Sequence, residues 1–314
     1  MLINLVPEFL DAAQASDPLE AYRRYLDDRS PILASYWHNY ILDLESPHAE
    51  EVMLRALRAD RRDLHTLLND YDLASMGAEA IQRCEDVMDT DRPFDVYLMV
   101  GVGGANAGEL VIGGRGIAFI CLEHFTGRPN HESLGLGLKP ELIPTWIAHE
   151  IAHTVRYTSP ASAGELAQII REMNGTYDYW ESGSRASLRE LIVNEGLAVA
   201  ASRIVTPGFD PWDYMGYVRR QYRRLRQLDS FLLSAVAPDL DNHGLGYRLR
   251  YLSGGVAAAQ RLVAGKVIPE RAGYYMGYRM VEAIVAAQGI AQALRTDAFE
   301  CTEYERRTRG IQSA

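Results

Sequence analysis

The chain has 314 residues, of which 47% are hydrophobic and 24% are charged, a composition typical of soluble globular proteins. Its formal net charge of −10 argues against nucleic-acid binding, which usually requires a basic surface, and makes strongly acidic substrates less favoured. The three cysteines are widely spaced and form no CxxC pair, so neither a disulfide framework nor a cysteine metal site is expected: Cys84, Cys121 and Cys301.

The N-terminal segment, MLINLVPEFLDAAQASDPLE, lacks the basic and apolar regions of a secretory signal. No run approaches the roughly 18 consecutive apolar residues of a transmembrane helix. We therefore expect a reduced, cytoplasmic protein that contacts neither membrane nor nucleic acid. The most basic stretch, RRQYRRLRQ (219–227), is interpreted as a solvated helix face. The sequence leaves the oligomeric state open.

Residues 1–91 predict a helical N-terminal region. Asp17-Pro18 is a good helix start, and residues 48–71 carry apolar side chains at helical spacing. The role of this region is left open between covering an active-site cleft and forming a surface for a partner.

Residues 92–125 are rich in glycine and β-branched residues, which indicates strands. We expect three, near 95–102, 108–112 and 116–122, and their short connections predict an antiparallel meander.

The pattern then returns to helices, broken near Pro207-Gly208 and Pro238. The predicted helices are 140–157, 161–174, 185–206, 211–235, 244–265 and 269–288. The fold class is therefore α+β and mostly helical, with a small antiparallel glycine-rich sheet packed by one central helix. We divide the chain into the N-terminal region, a core at 92–290 and a C-terminal tail at 291–314.

The central helix contains the motif that carries the chemistry, PTWIAHEIAHTVRY (144–157). His149 and His153 are four residues apart, so they share a helix face and are able to bind one zinc ion. Glu150 is offset by about 100° and is free to act as a general base on a water molecule. The alternative is a pair of core histidines bonded to backbone, with Glu150 reaching solvent.

A catalytic zinc ion usually has three protein ligands, and Glu195 is our candidate for the third. It lies in SLRELIVNEGLAVAAS (187–202), where its same-face neighbours are apolar, so its carboxylate needs a strong partner. Glu172 and Glu190 have more polar neighbours. The alternative partner for Glu195 is a buried arginine, Arg156 or Arg203. Gly196 is interpreted as allowing close approach of the zinc helix.

HEIAH followed by NEGLA resembles the glutamate-zincin arrangement, and more narrowly a bacterial family of predicted zinc-dependent proteases with HExxH and EGLA motifs. The resemblance spans about residues 95–290. It implies a metallopeptidase core in which His149, His153 and Glu195 bind Zn²⁺ and Glu150 is the base. Such zincins often carry an acid where this chain has Val199. Support for the ligand histidines is therefore expected from a backbone carbonyl or another acid, such as Glu165 or Glu190.

Peptide hydrolysis also needs groups that hold the substrate and the developing oxyanion. In zincins an edge strand pairs with substrate backbone, which points to 108–122, although its glycines are equally explained as hairpin turns. Tyr274 and Tyr278, in GYYMGYRM, are the candidate catalytic donors, with simple packing as the alternative. Among the other histidines, His243 is a weaker donor candidate, and His124 and His131 are expected in solvated loops.

The sequence thus predicts a zinc-dependent peptidase that acts on a peptide or protein substrate. Two alternatives stay open. One is a regulatory protease that cleaves a specific protein partner, and the other is a non-catalytic zincin-fold binding protein.

Overall fold

The computed structural model describes residues 1–308, so the last six positions of the predicted tail lie outside the described residues. The chain is mostly helical, with one four-stranded sheet and two short two-stranded ribbons, which confirms the α+β class. Across residues 1–308, none of the helices combines the length and apolarity that crossing a lipid bilayer requires.

The N-terminal region is helical, as predicted, except for one short strand at its start. That strand, β1 (Leu2–Asn4), pairs in parallel with a strand from the middle of the chain. Six helices follow: α1 (Val6–Gln14), α2 (Pro18–Asp28), α3 (Ile32–Tyr40), α4 (Ala49–Arg58), α5 (Arg62–Asp70) and α6 (Leu73–Met88).

The main sheet contains the three expected strands, β2 (Phe94–Met99), β3 (Ala107–Ile112) and β4 (Arg115–Cys121), in the order β1-β2-β4-β3. The predicted antiparallel meander is wrong, because β2 pairs with β4 in parallel and only β3 and β4 are antiparallel. The connection 100–106 is long enough to cross the roughly 10 Å of two strand spacings, which leaves room for β4. A two-residue turn at Gly113-Gly114, both at positive φ, then joins β3 to β4.

The rest of the chain is helical with small ribbons. It comprises β5 (Pro129–Asn130), β6 (Gly135–Leu136), α7 (Ile143–Thr158), α8 (Glu165–Glu172), α9 (Tyr179–Arg185), α10 (Leu188–Val205), α11 (Arg219–Gln227), α12 (Asp229–Val236), α13 (Leu245–Leu252), β7 (Leu262–Val263), β8 (Lys266–Val267), α14 (Ala272–Gln288), α15 (Ile290–Ala293) and α16 (Ala298–Thr308). The helix predicted at 244–265 is therefore too long. It stops at Leu252, just before Gly254-Gly255, and the β7–β8 hairpin takes its place.

Helix α7 is the centre of the fold, and nearly all of its side chains are buried. It packs on β3 and β4 on one side and against α6 and α10 on the other. A helix covered on all sides has no solvated face, so the polar side chains it carries depend on partners inside the protein.

One hydrophobic core runs through the three predicted segments of the chain. Phe9 and Trp37 from the N-terminal region, Phe119 from the sheet, Ile147 from α7 and Cys301 from α16 all belong to it. The N-terminal helices therefore pack directly against the sheet that supports α7. The boundaries placed after residues 91 and 290 stay predictions.

Helices α10 and α14 cross at a pair of glycines. A Cβ atom on Gly196 would lie 2.1 Å from the carbonyl carbon of Gly277, and one on Gly277 would lie 1.9 Å from the oxygen of Ile192. The close approach predicted from Gly196 therefore exists, but it is to α14 and not to α7, the helix that carries His149 and His153. This contact sets the distance between Glu195 and the side chains at the start of α14.

We predict that Gly196→Ala lowers the free energy of unfolding by about 2 kcal/mol or more, since the added methyl group meets backbone atoms that have no room to move. Denaturant unfolding followed by circular dichroism measures the change. Gly246→Ala is the matched control, because a Cβ atom there has nothing within 4 Å and the same substitution within a helix should not destabilise. Equal stability of Gly196→Ala and the parent chain would contradict the packing argument.

Candidate metal site and cleft

The structure brings together the three side chains predicted as metal ligands. The Nε2 atoms of His149 and His153 on α7 lie 3.3 Å and 3.6 Å from the same oxygen, Oε2 of Glu195 on α10. Both histidines are buried, and the Glu195 side chain is 15% exposed. Two successive turns of α7 and one carboxylate of α10 therefore converge on a single position.

These distances fit a zinc ion. Zinc–ligand bonds of about 2.0–2.2 Å place neighbouring tetrahedral ligand atoms about 3.3–3.6 Å apart. One ligand atom from each of His149, His153 and Glu195 lies within 4.8 Å of the others. Two imidazoles and one carboxylate also form a donor set that suits a catalytic zinc ion, which keeps one position for water.

The electrostatics of the three side chains favours a positive charge between them. Burial lowers the pKa of the His149 imidazole, which stays neutral. At His153 burial also opposes the charge, but the nearby carboxylates of Glu109 and Glu195 raise the pKa of the imidazole to about 10. Burial opposes ionisation of Glu195, yet both histidines outweigh it and lower the pKa of this carboxyl. Metal binding at this site would displace a proton.

Glu150 lies beside this group and is not part of it. Its side chain is buried, and no hydrogen bond or ion pair joins it to any other residue that the structure describes. Burial raises the pKa of the Glu150 carboxyl well above its usual range; His153 opposes the rise and Glu109 adds to it. A carboxylate without a fixed partner is available to a bound water.

The arginines proposed as alternative partners of Glu195 are occupied elsewhere. Arg156 donates to both oxygens of Glu190, at 2.9 Å and 2.7 Å, in an ion pair that is completely buried. Arg203 lies over the rings of Tyr214 and Tyr278. Among the described residues, the ion-pair partners of Glu195 are the two histidines.

The support predicted for the ligand histidines is wrong in both named cases. Glu190 is held by Arg156, and Glu165 accepts from the backbone N–H and hydroxyl of Ser187 at the start of α10. The Nδ1 atoms of His149 and His153 have no hydrogen-bond partner among the protein groups described.

A hydrogen-bonded carboxylate that the sequence analysis missed lies next to the site. Glu109 of β3 accepts from the hydroxyls of Tyr157 at 3.0 Å and Tyr40 at 3.0 Å. Asn194, directly before Glu195, in turn donates to the Tyr157 hydroxyl at 2.9 Å. Glu109 thus connects the sheet, the N-terminal region and both site helices.

Two sequence signals could have found this group. Tyr157 is four residues after His153 and therefore continues the face of α7 that carries both histidines, and its ring stacks on that of His153 at 5.9 Å. Glu109 is an acid inside an apolar strand, which is the same argument that selected Glu195.

The three converging side chains open into a cleft with a volume of about 570 Å³. Residues 39–41 of the N-terminal region, the segment 103–109 and the turn 252–254 form parts of its wall. The N-terminal region therefore contributes to the cleft, which favours the first of its two predicted roles. A volume of this size accommodates a few peptide residues.

The strand expected to pair with substrate is largely covered. β3 is an edge strand, but the backbone N–H and C=O of Glu109 both bond to the Tyr40 hydroxyl, at 3.1 Å and 2.8 Å. The carbonyl of Val111 accepts from the backbone of Tyr177. The part of this edge that lines the cleft is the segment 103–109, which begins upstream of the predicted range and includes its first two residues.

The two candidate tyrosines have different positions. Tyr274 lines the cleft, with its ring stacked on that of His149 at 6.2 Å. Tyr278, one turn further along α14, has Arg203 over its ring at 4.7 Å and is not among the cleft residues. Its position gives no support to the predicted catalytic role, since one helical turn carries it past the metal ligands.

The remaining histidines also differ from one another. The expectation of a solvated loop is wrong for His124, which is 3% exposed, lines the cleft and lies 3.7 Å from Glu123. His131 is exposed, as expected. His243 bonds to the carbonyl of Arg185 outside the cleft, so its geometry does not support a donor role.

We predict that the purified chain binds about one zinc ion and that His149→Ala and Glu195→Ala each abolish this binding, because each removes one of three converging ligands. Elemental analysis after zinc loading and removal of excess measures it. His243→Ala and Glu172→Ala are the matched controls, as both residues are exposed and lie outside the cleft. Full zinc content in the two ligand variants would contradict the assignment.

Part of the chain matches a known protein family. Residues 167–303 are similar to a family described as Predicted Zn-dependent protease (DUF2268). This range contains Glu195 and Tyr274 and begins after His153, so the match supports a zinc protease without reaching the histidine motif. No curated protein and no solved structure matches the chain.

Proposed function

We propose that the chain is a zinc-dependent peptidase in which His149, His153 and Glu195 hold the metal. The observation that carries the proposal is the convergence of three ligand atoms beside a further carboxylate, Glu150, that has no fixed partner. The similarity of residues 167–303 to a family described as a predicted Zn-dependent protease supports it independently.

When bound, zinc supplies Lewis-acid activation of the attacking water and of the scissile carbonyl. Glu150 accepts the proton of that water and passes it to the nitrogen of the leaving amine. Its burial favours this role, because a raised pKa makes the carboxylate a stronger base.

Tyr274 is the oxyanion donor in this proposal. Burial, and after it the negative charge of Glu195, raises the pKa of its hydroxyl well above the usual value, so the group keeps its proton and is able to donate it in a hydrogen bond. Stacking on His149 fixes the ring beside a metal ligand.

Two other functions remain as alternatives. A regulatory protease would have the same site but cleave one protein partner, which a broad peptide screen distinguishes by its lack of turnover. A non-catalytic binding protein would use zinc only structurally. The unpartnered Glu150 favours catalysis, since a structural site needs no free carboxylate next to the metal.

We predict that Glu150→Gln reduces kcat by about 10²- to 10⁴-fold and leaves zinc content and unfolding unchanged, because it removes the proton acceptor and keeps the shape. A fluorogenic peptide library, assayed beside elemental analysis, gives both values. Glu141→Gln, an exposed position just before α7, is the control with the same change of charge. Full activity in Glu150→Gln would exclude it as the base.

We predict that Tyr274→Phe lowers kcat by about 10²-fold with little change in KM, as expected when a donor to the oxyanion is lost. Tyr278→Phe is the matched control and should retain full kcat, because that hydroxyl lies outside the cleft. Steady-state kinetics on one peptide substrate compare the two variants. Equal kcat values in Tyr274→Phe and the parent chain would assign the oxyanion to another donor.

A further inference from the structure

The cleft contains two guanidinium groups without ionic partners. Arg248 and Arg271 both line it, and no carboxylate of the described residues lies within the 4.0 Å of an ion pair from either one. Glu270, the neighbour of Arg271 in sequence, is paired with Arg261 at 3.5 Å. In a chain with a net charge of −10, two unpaired cations in one cleft are unexpected.

The two arginines differ in burial and in how far their N–H groups are already bonded within the protein. Arg248 is 7% exposed, donates to the carbonyl of Tyr179 and the hydroxyl of Tyr177, and lies 3.4 Å from the centre of the Tyr179 ring. It holds α9 in place. Arg271 is half-buried, and its guanidinium lies over two aromatic rings, that of Tyr274 at 4.3 Å and that of Tyr217 at 6.0 Å. Arg271 is therefore the cation with N–H groups available to a ligand.

The backbone of Arg271 is in an unusual conformation. Its φ angle is 54°, in the left-handed region that favours glycine, and it is the residue immediately before α14. The Tyr217 hydroxyl donates to its carbonyl at 2.5 Å and fixes this conformation. Strained backbone of this kind is concentrated at functional sites.

The position of Arg271 relative to the metal ligands follows from two ring contacts. Its guanidinium lies on Tyr274, whose ring lies on His149. Together these contacts span no more than about three residues of extended peptide, at roughly 3.3–3.6 Å a residue. A group bound by Arg271 is thus within about three residues of the bond that the metal site would cleave.

Charge in the cleft also favours an anionic ligand once a metal is bound. The cleft holds three carboxylates, Glu109, Glu150 and Glu195, and Glu109 is bonded to two neutral hydroxyls. Two guanidiniums and a divalent cation exceed the charge of these carboxylates by one. The overall acidity of the chain therefore does not describe the cleft, and the expectation that acidic substrates are disfavoured does not apply to it.

We propose that Arg271 binds a carboxylate of the substrate, close to the scissile bond. Guanidinium–carboxylate pairing is planar and often bidentate, and it explains why the site keeps an unpaired arginine. The carboxylate is either the C-terminus of a peptide or the side chain of Asp or Glu, and these share the chemistry that Arg271 recognises. The inference rests on the proposed peptidase function and deepens it by naming the substrate class.

The rim of the cleft suggests what the rest of the ligand looks like. Leu134, Leu136 and Trp180 line the cleft with side chains that are 40%, 56% and 44% exposed. Exposed apolar groups around a polar centre are typical of a binding site. Short peptides with leucine near the carboxylate are therefore suitable probes.

The test measures peptide binding to the Glu150→Gln chain loaded with zinc, so that affinity is read without turnover. The probes are four N-acetylated tetrapeptides: Ala-Leu-Ala-Leu with a free carboxylate, the same peptide amidated, and amidated Ala-Leu-Ala-Glu and Ala-Leu-Ala-Gln. Isothermal titration calorimetry gives each Kd. We expect the carboxylate of at least one pair to tighten binding about tenfold or more.

The same titrations with Arg271→Gln added should bring the ratio of the two Kd values in each pair to about one, and Arg271→Lys should retain part of it. Arg223→Gln is the matched control: it makes the same change at an exposed position on α11, outside the cleft. The ratio separates recognition of charge from an indirect effect through Tyr274, because such an effect would weaken both peptides of a pair equally.

A preference for the free C-terminus alone would assign Arg271 to C-terminal trimming, and a preference for glutamate alone to selection of acidic side chains. A ratio near one in both pairs, an unchanged ratio in Arg271→Gln, or no binding of any probe would overturn the proposal. Hydrolysis by the unmutated chain is measured separately. Turnover without charge preference would contradict only this inference. Charge-selective binding without turnover would instead contradict the peptidase function.

Discussion

The fold depends on the cost of burying ionisable groups on a helix that has no solvated face. His149, Glu150 and His153 lie on α7 between the sheet and α10, where an uncompensated charge would be very unfavourable. Glu195 offsets the positive charge of the histidines by direct contact. Glu109, which is hydrogen-bonded to two tyrosines, does the same from a slightly longer distance. Burial makes charge on these side chains unfavourable. It also favours binding of a cation, since neighbouring side chains already hold the group in place.

The three side chains that converge at the candidate metal site could be selected from the sequence because each leaves a local signal. Two histidines four residues apart are visible in any helical segment, and Glu195 is conspicuous among apolar same-face neighbours. Arg271 and Tyr40 left no such signal. Their roles arise from contacts between segments far apart in sequence: Tyr40 bonds to Glu109 across 69 positions. Periodicity describes one element at a time and does not report which elements meet.

The same distinction, between local patterns and contacts among distant segments, explains which parts of the fold could be predicted. Element types follow from local pattern, so most of the helices and the three glycine-flanked strands were predictable, whereas α9 and α16 were missed. Strand order was not, because it depends on where the connection 100–106 places β3 and on a three-residue strand, β1, too short to show alternation. The helix predicted at 244–265 failed for a local reason instead: its apolar spacing continues past Gly254-Gly255, where the backbone does not.

The Tyr40 hydroxyl, described above as a cover for Glu109, has a consequence for how copies of this chain behave in concentrated solution. An edge strand with free N–H and C=O groups is a template on which a second molecule adds a strand, and such pairing begins many aggregates. One phenol bonding to both backbone groups of Glu109, with the Tyr177 backbone bonded two residues on, closes most of that template. The same tyrosine thus protects the strand edge and holds Glu109 beside the candidate metal site.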